Sequence, residues 1–531
     1  MSLQACGDNN LVCLVYRRDT SFELPDGQGL AIKKTYQCLP ASSNEDQTYD
    51  LPLSQAFIDS HPELQLGLTH ISIPRGCLNG TSVTYPENAT ITILKERRRL
   101  SGPQTRVGKI TILVVRGLEL NRVPFQSTSV LSSKIFDRAS VSLASQIRDC
   151  SAGKLNIGMA QGPGIVDGIL DVQLGYRVKN ISTSVVEEQL IQAVSPYGGE
   201  RAFDHVMYCI PFGTLSGTTN QWVAHALTYH PRSVYNDNWC GFLSPHVHEF
   251  GHNLGLQHSG QYGNMYGDIT GMMGYASRII NGPKSCYNAH NNWELGWYQG
   301  RSIDLSHTIR DSAWGGRLMA FVDIDATPLG EVVVIRAGNL YMQYNRRRSF
   351  NEGTRQFGNR VVIVSAKDHL SVSQLEAGVA IGISGASKIF AYPDFDDTGY
   401  NLVIEVCDQV YGPPDYVHIS IHLADGIQSS QCAFTLPPLT RAPTVAPTTS
   451  VQPSNAPTKS PSDQPSQTRT QSPTTSPTCE DIPGKSFHVN RKRGYQDCTW
   501  LSARPMWKPL LCEPGHHAYH YCKESCNSCK R

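Results

Sequence analysis

Along most of the chain, apolar positions come in short runs or alternate with polar ones, the pattern of strands. KITILVVRG (109–117) reads as a buried strand, FDHVMYCIPFG (203–213) as a core strand and QWVAHALTYH (221–230) as an edge strand. Between them, the segment from Ser129 to Cys150 carries the three-and-four spacing of one amphipathic helix. GEVVVIRAG, NRVVIVSA, NLVIEV and YVHISIHL repeat the strand pattern and predict a β-rich domain over 301–436. Residues 1–104 read as short strands and polar turns, and residues 105–300 as a mixed unit. The pattern stops at 437–478, where Pro, Ser and Thr replace apolar residues; such a stretch cannot collapse and stays extended as a spacer. Residues 479–531 hold Cys479, Cys498, Cys512, Cys522, Cys526 and Cys529, a small cross-linked module in place of a large core. The expected fold class is α+β.

One stretch breaks the strand pattern and carries chemistry. SPHVHEFGHNLGLQHSG, from Ser244 to Gly260, places Val247, Phe250 and Leu254 at helical spacing. His248 and His252 then project side by side from one face, with Glu249 beside the first. Gly255 can take the left-handed conformation that ends a helix, so the chain reverses and returns His258 to the pair. Three neutral imidazoles converging in this way are the usual protein share of a catalytic zinc site, with a fourth position left for water. A lone histidine on such a helix is more often a satisfied core residue, but the full H-E-x-x-H-x-x-G-x-x-H pattern is far too specific for that. His225, His230 and His246 are expected to be structural, because the tripod is complete without them.

The long histidine motif, followed by DITGMMGYAS (268–277), resembles the metzincin proteases, which place a methionine-bearing turn beneath the metal. Met273 fits that turn, and Tyr275 would follow it as a donor to the developing oxyanion. QIRDCSAGKLNIG (146–158), CYNAHNNWELGWY (286–298) and YMQYNRRRSFNEGT (341–354) are similar to segments of the gametolysin family, secreted algal metalloproteases that degrade cell-wall glycoproteins. The likeness spans roughly residues 105 to 430. Some members of that family carry Gln at the first zinc position, where this chain has His248. The resemblance implies a metzincin-type zinc domain over 105–300. It also implies an inhibitory pro-region over 1–104, ending in the basic KERRRLSG (95–102). Cys77, in IPRGCLNG, would be a cysteine switch capping the zinc if its thiol were free; a disulfide is the alternative. The six-cysteine tail resembles the ShKT module, with a small zinc site at His516, His517 and His520 as the competing reading.

Net charge is +1, which points to neither a nucleic-acid surface nor an anionic membrane. No apolar run reaches membrane-spanning length. Sixteen cysteines, together with Asn-x-Ser/Thr sequons at Asn79, Asn88 and Asn180, predict an extracellular, glycosylated protein, although the N-terminus shows no signal peptide. The expected activity is hydrolysis of peptide bonds in extracellular-matrix or cell-wall glycoproteins, with Zn2+ held by His248, His252 and His258 and Glu249 as general base. A matrix-binding or adhesion protein on the same scaffold, or a metal-dependent amidase, are the alternatives.

Overall fold

Strands dominate and helices are few and short, so the protein is a mixed α+β structure. This computed structural model describes residues 10–23, 30–42, 47–94, 106–237, 239–274, 282, 284–367, 371–426, 431–439, 486–490, 494–502 and 522. The chain divides into two units, Met1–Thr444 and Val445–Arg531.

The first sheet is built around a long antiparallel pair, β1 (Leu11–Glu23) and β2 (Leu30–Pro40), stapled by the Cys13–Cys38 disulfide. Short strands, among them His70–Ile73 and Thr92–Leu94, flank the pair and make a seven-stranded sheet. Cys13, Val15, Leu51, Ile71 and Ile73 form its core. Asn79 and Asn88 are exposed on this part and Asn180 on the next, as sequons require.

The second sheet begins with β3 (Gly108–Leu118), apolar along most of its length because parallel neighbours flank it on both sides. The predicted helix 129–150 is instead two, α1 (Thr128–Phe136) and α2 (Leu143–Cys150). The break has a local cause. The Asp137 carboxylate accepts from Ala139 N and Ser140 Oγ, and Ser142 starts the next helix with a capping box, so side chains take over the backbone groups. Next come β4 (Leu155–Met159) and β5 (Ile169–Gln173), both parallel to β3. After them follow α3 (Thr183–Val194), β6 (His205–Ile210), β7 (Ala224–Ala226) and β8 (Arg232–Asn236). The strand order β5-β3-β6-β8-β7 leaves β7 at the rim, antiparallel to β8.

Beneath that rim lies α4 (Leu243–Asn253), buried on every side. Pro245 sits in its first turn, where a missing N–H costs nothing. Two disulfides brace it: Cys209–Cys240 ties β6 to the approach, and Cys150–Cys286 ties α2 to the segment behind the helix. A link such as the second, between residues 136 apart, stabilises a fold by about 2–4 kcal/mol.

The region after residue 301 is strand-rich, as the pattern predicts, but its core is shared with what precedes it. Val247, Phe250, Met273 and Trp297 belong to the same buried cluster as Leu340, Met342 and Ile363. Ser259–Gly260, immediately after His258, pairs in parallel with Ser373–Gln374 in a six-stranded sheet. Cys407 and Cys432 are bridged, as expected. In the second unit, the described residues form a hairpin of Ser486–Asn490 with Gly494–Asp497 and a helical turn at Cys498–Ser502, joined to Cys522 by a disulfide. The tail histidines 516, 517 and 520 and the other four tail cysteines lie outside the described residues. Among the described residues, no helix is long and apolar enough to cross a membrane.

Candidate active site

Helix α4 ends as the glycine requires. Gly255 adopts φ 95°, Gly255 N donates to His252 O at 2.9 Å and Leu256 N to Gly251 O at 2.9 Å, closing a Schellman turn. A side chain at residue 255 would also run into the Tyr229 ring. Asn253 Nδ2 donates to His230 O and Arg232 O, each at 2.7 Å, which fastens the helix end to the loop between β7 and β8. Arg106 clamps the same end, donating to Leu254 O at 3.1 Å and Glu294 O at 2.6 Å.

His248, His252 and His258 come together, their ligand atoms within 4.8 Å of one another. All three are buried. His248 Nδ1 lies 2.7 Å from Met272 O and His252 Nδ1 lies 2.9 Å from Leu256 O. A carbonyl only accepts, so both Nδ1 atoms carry the proton and both Nε2 atoms present a lone pair. His248 Nε2 is buried without a hydrogen bond among the described residues. His252 Nε2 and His258 Nε2 stand 3.1 Å apart. Burial, with help from His252, holds His248 down at about 3, and burial holds His252 at about 4, so the imidazoles stay in the neutral, ligating form. The donor set fits a cation of zinc's preferences: three imidazole nitrogens, with fixed tautomers on two of the rings.

Glu249 is 2 % exposed and its Oε2 accepts no hydrogen bond among the described residues. Burial pushes its carboxyl well above the ordinary range, and the nearby Asp19 carboxylate adds to that. Met273 is fully buried, its thioether against Gly251, where a β-carbon would strike the sulfur. The methionine turn is stitched to the third histidine: Ser259 N donates to Met273 O at 2.9 Å. Asn288 Nδ2 donates to Ser259 Oγ at 2.8 Å and to Asp268 Oδ2 at 2.9 Å. Tyr287 from the CYNAHNNWELGWY stretch donates its hydroxyl to Val247 O at 2.8 Å.

With that geometry in hand, the chain can be set beside known proteins. Residues 136–345 match the model of the gametolysin peptidase M11 family. That segment is similar to the gametolysin family. It contains the whole of α4, the three histidines and the methionine turn. The matched segment begins at the last residue of α1 and ends at the strand Leu340–Asn345, so it takes in part of the shared β-rich core. No curated protein and no solved structure matches the chain.

The other sequence-predicted positions divide. His246 Nε2 lies 2.7 Å from Cys240 O and is structural, and His225 and His230 are buried away from the trio, His225 beside Glu187 at 3.5 Å. Tyr275 lies outside the described residues. The cysteine-switch expectation for Cys77 is corrected: its sulfur is disulfide-bonded, and a sulfur so engaged offers no thiolate to a metal. Two residues at the centre were not foreseen. Tyr266 has its ring centroid 4.7 Å from that of His258, and Asp19, from β1, places Oδ2 3.3 Å from His258 Nδ1. The only sequence hint for Tyr266 is its place between the motif and the methionine turn; Asp19 has none.

Proposed function

We propose that this protein is a secreted zinc-dependent endopeptidase of metzincin type. The observation that carries the reading is the convergence of His248, His252 and His258, two of them with Nδ1 tied to a carbonyl, beside the buried Glu249. Zinc, when bound by these imidazoles, supplies a Lewis acid that acidifies water and polarises the scissile carbonyl. Glu249 accepts the proton of the attacking water and delivers it to the leaving amine. The rim strand β7 holds the substrate in extended form by strand addition, which keeps the reacting carbonyl in place. Tyr275, and Tyr266 beside the imidazoles, are donors for the developing oxyanion.

The substrate class is extracellular-matrix or cell-wall glycoprotein, including Pro-rich chains, in line with the gametolysin segment. The disulfides at Cys150–Cys286 and Cys209–Cys240 support an oxidising, extracellular setting. Residues 1–104 act as a pro-region, 105–300 as the catalytic part and 301–436 as its β-rich companion. Residues 437–478 are a spacer to an ShKT-like module at 479–531 that docks to matrix or protein. The test is cleavage of casein and of a Pro-rich glycoprotein by the processed protein. Activity abolished by chelation and restored by zinc supports the reading; full activity in Glu249→Gln contradicts it.

A further inference from the structure

Strand β1 does not end its pairing at its own sheet. Its second half runs antiparallel along β7 and the chain around it, with Arg18 bridged to Leu227 and Phe22 to Trp222. Val223 N donates to Ser21 O at 2.7 Å, and Glu23 N donates to Gln221 O at 2.9 Å. This is the rim where an extended substrate would add as a strand. Alternate side chains of β1 therefore face opposite ways. Asp19 and Ser21 reach the imidazole side: Asp19 Oδ2 is 3.3 Å from His258 Nδ1, and Ser21 Oγ shares a 2.7 Å hydrogen bond with the Tyr266 hydroxyl. Arg18 points the other way and meets the buried Glu187 at 3.2 Å, which fixes the strand's register.

Asp19 is the informative residue. It is 3 % exposed, and neither of its oxygens accepts a hydrogen bond among the described residues. Arg17, 2.8 Å away on the same strand, offers it charge, but that pair sits inside the cleft rather than in solvent. A buried carboxylate without donors is costly unless a cation faces it. Arg17 supplies that cation, and Oδ2 also backs the ring of His258.

We propose that β1 is the built-in occupant of the substrate rim and that Asp19 anchors it there, its Oδ2 set against the Nδ1 edge of His258, opposite the Nε2 that faces His252. The chain keeps its own cleft closed for as long as β1 stays paired with β7. Opening requires β1 to leave, which also frees the Tyr266 hydroxyl from Ser21.

The inference rests on the zinc-peptidase reading, and one experiment separates the two. The full chain is loaded with Co2+, its metal content and visible spectrum are recorded, and binding of a fluorescent peptide hydroxamate is followed by anisotropy. The expected result is weak probe binding by the wild type and at least tenfold tighter binding by Asp19→Ala, with metal content unchanged and an altered cobalt spectrum. Arg18→Glu, which turns the contact with Glu187 repulsive without touching the imidazoles, is expected to tighten probe binding as well. Unchanged affinity and spectrum in both metal-loaded variants would overturn the inference alone. So would loss of metal from Asp19→Ala with unchanged probe affinity in the fraction that keeps metal, because Asp19 would then serve only to hold His258. A wild-type chain that takes up no metal would overturn the peptidase reading along with it.

Discussion

Among the described residues, two places gather three metal-type residues within 4.8 Å: His248, His252 and His258, and Glu405, Cys407 and Cys432. They differ in what their atoms are already doing. At the second, the sulfurs are spent on each other as a disulfide, and Glu405 Oε1 faces Lys388 Nζ at 3.0 Å. At the first, Nδ1 of His248 and of His252 is held by a backbone carbonyl, and that leaves the opposite nitrogen aimed inward. Proximity alone does not make a site; donor atoms left over after the local bonds are made do.

The contrast can be broken most sharply at Glu249. Glu249→Gln keeps the volume and all three imidazoles, so zinc content should hold while kcat falls by about 10²–10⁴-fold, measured on a peptide substrate. If both fell together, Glu249 would be a ligand rather than a base. At the other cluster the pattern should reverse. Cys407→Ser with Cys432→Ser should leave metal content and kcat untouched and lower stability by about 2–4 kcal/mol in urea unfolding.

A smaller effect is expected at Gly251, where a β-carbon meets the Met273 sulfur. Gly251→Ala should cost about 1–3 kcal/mol by overpacking and weaken zinc retention, because the same turn supplies the carbonyl that orients His248. The last concerns pH. Burial holds His205 down at about 3, packed 4.6 Å from the Phe250 ring on α4. The unfolded chain binds this proton first, so stability is full above about pH 6.5 and is lost as pH falls towards 3, at up to about 1.4 kcal/mol per pH unit for one proton. His205→Phe should flatten that slope in acid unfolding without altering metal content.

How far the sequence could be read depended on how local the cause was. The α4 helix, its glycine turn and the return of His258 follow from spacing within one short stretch, and the structure has them where the spacing puts them. The strands KITILVVRG and FDHVMYCIPFG were equally legible, since an apolar run flanked by parallel neighbours has one sensible place to go. The single helix over 129–150 failed because periodicity does not register a capping box: Asp137 and Ser142 look like ordinary polar-face residues until their backbone bonds are counted. Asp19 was invisible for a different reason. More than two hundred residues separate it from His258, and nothing in RRDTSFE marks a strand that crosses to another sheet. Likewise, the pairing of Ser259–Gly260 with Ser373–Gln374 joins regions that composition had set apart.

The most direct test of the account is the metal content of the purified full-length chain and of His258→Ala, determined by elemental analysis after exhaustive dialysis. One zinc per chain in the wild type and none in the variant is the predicted result. No bound metal in the wild type, or zinc retained in full without His258, would contradict it.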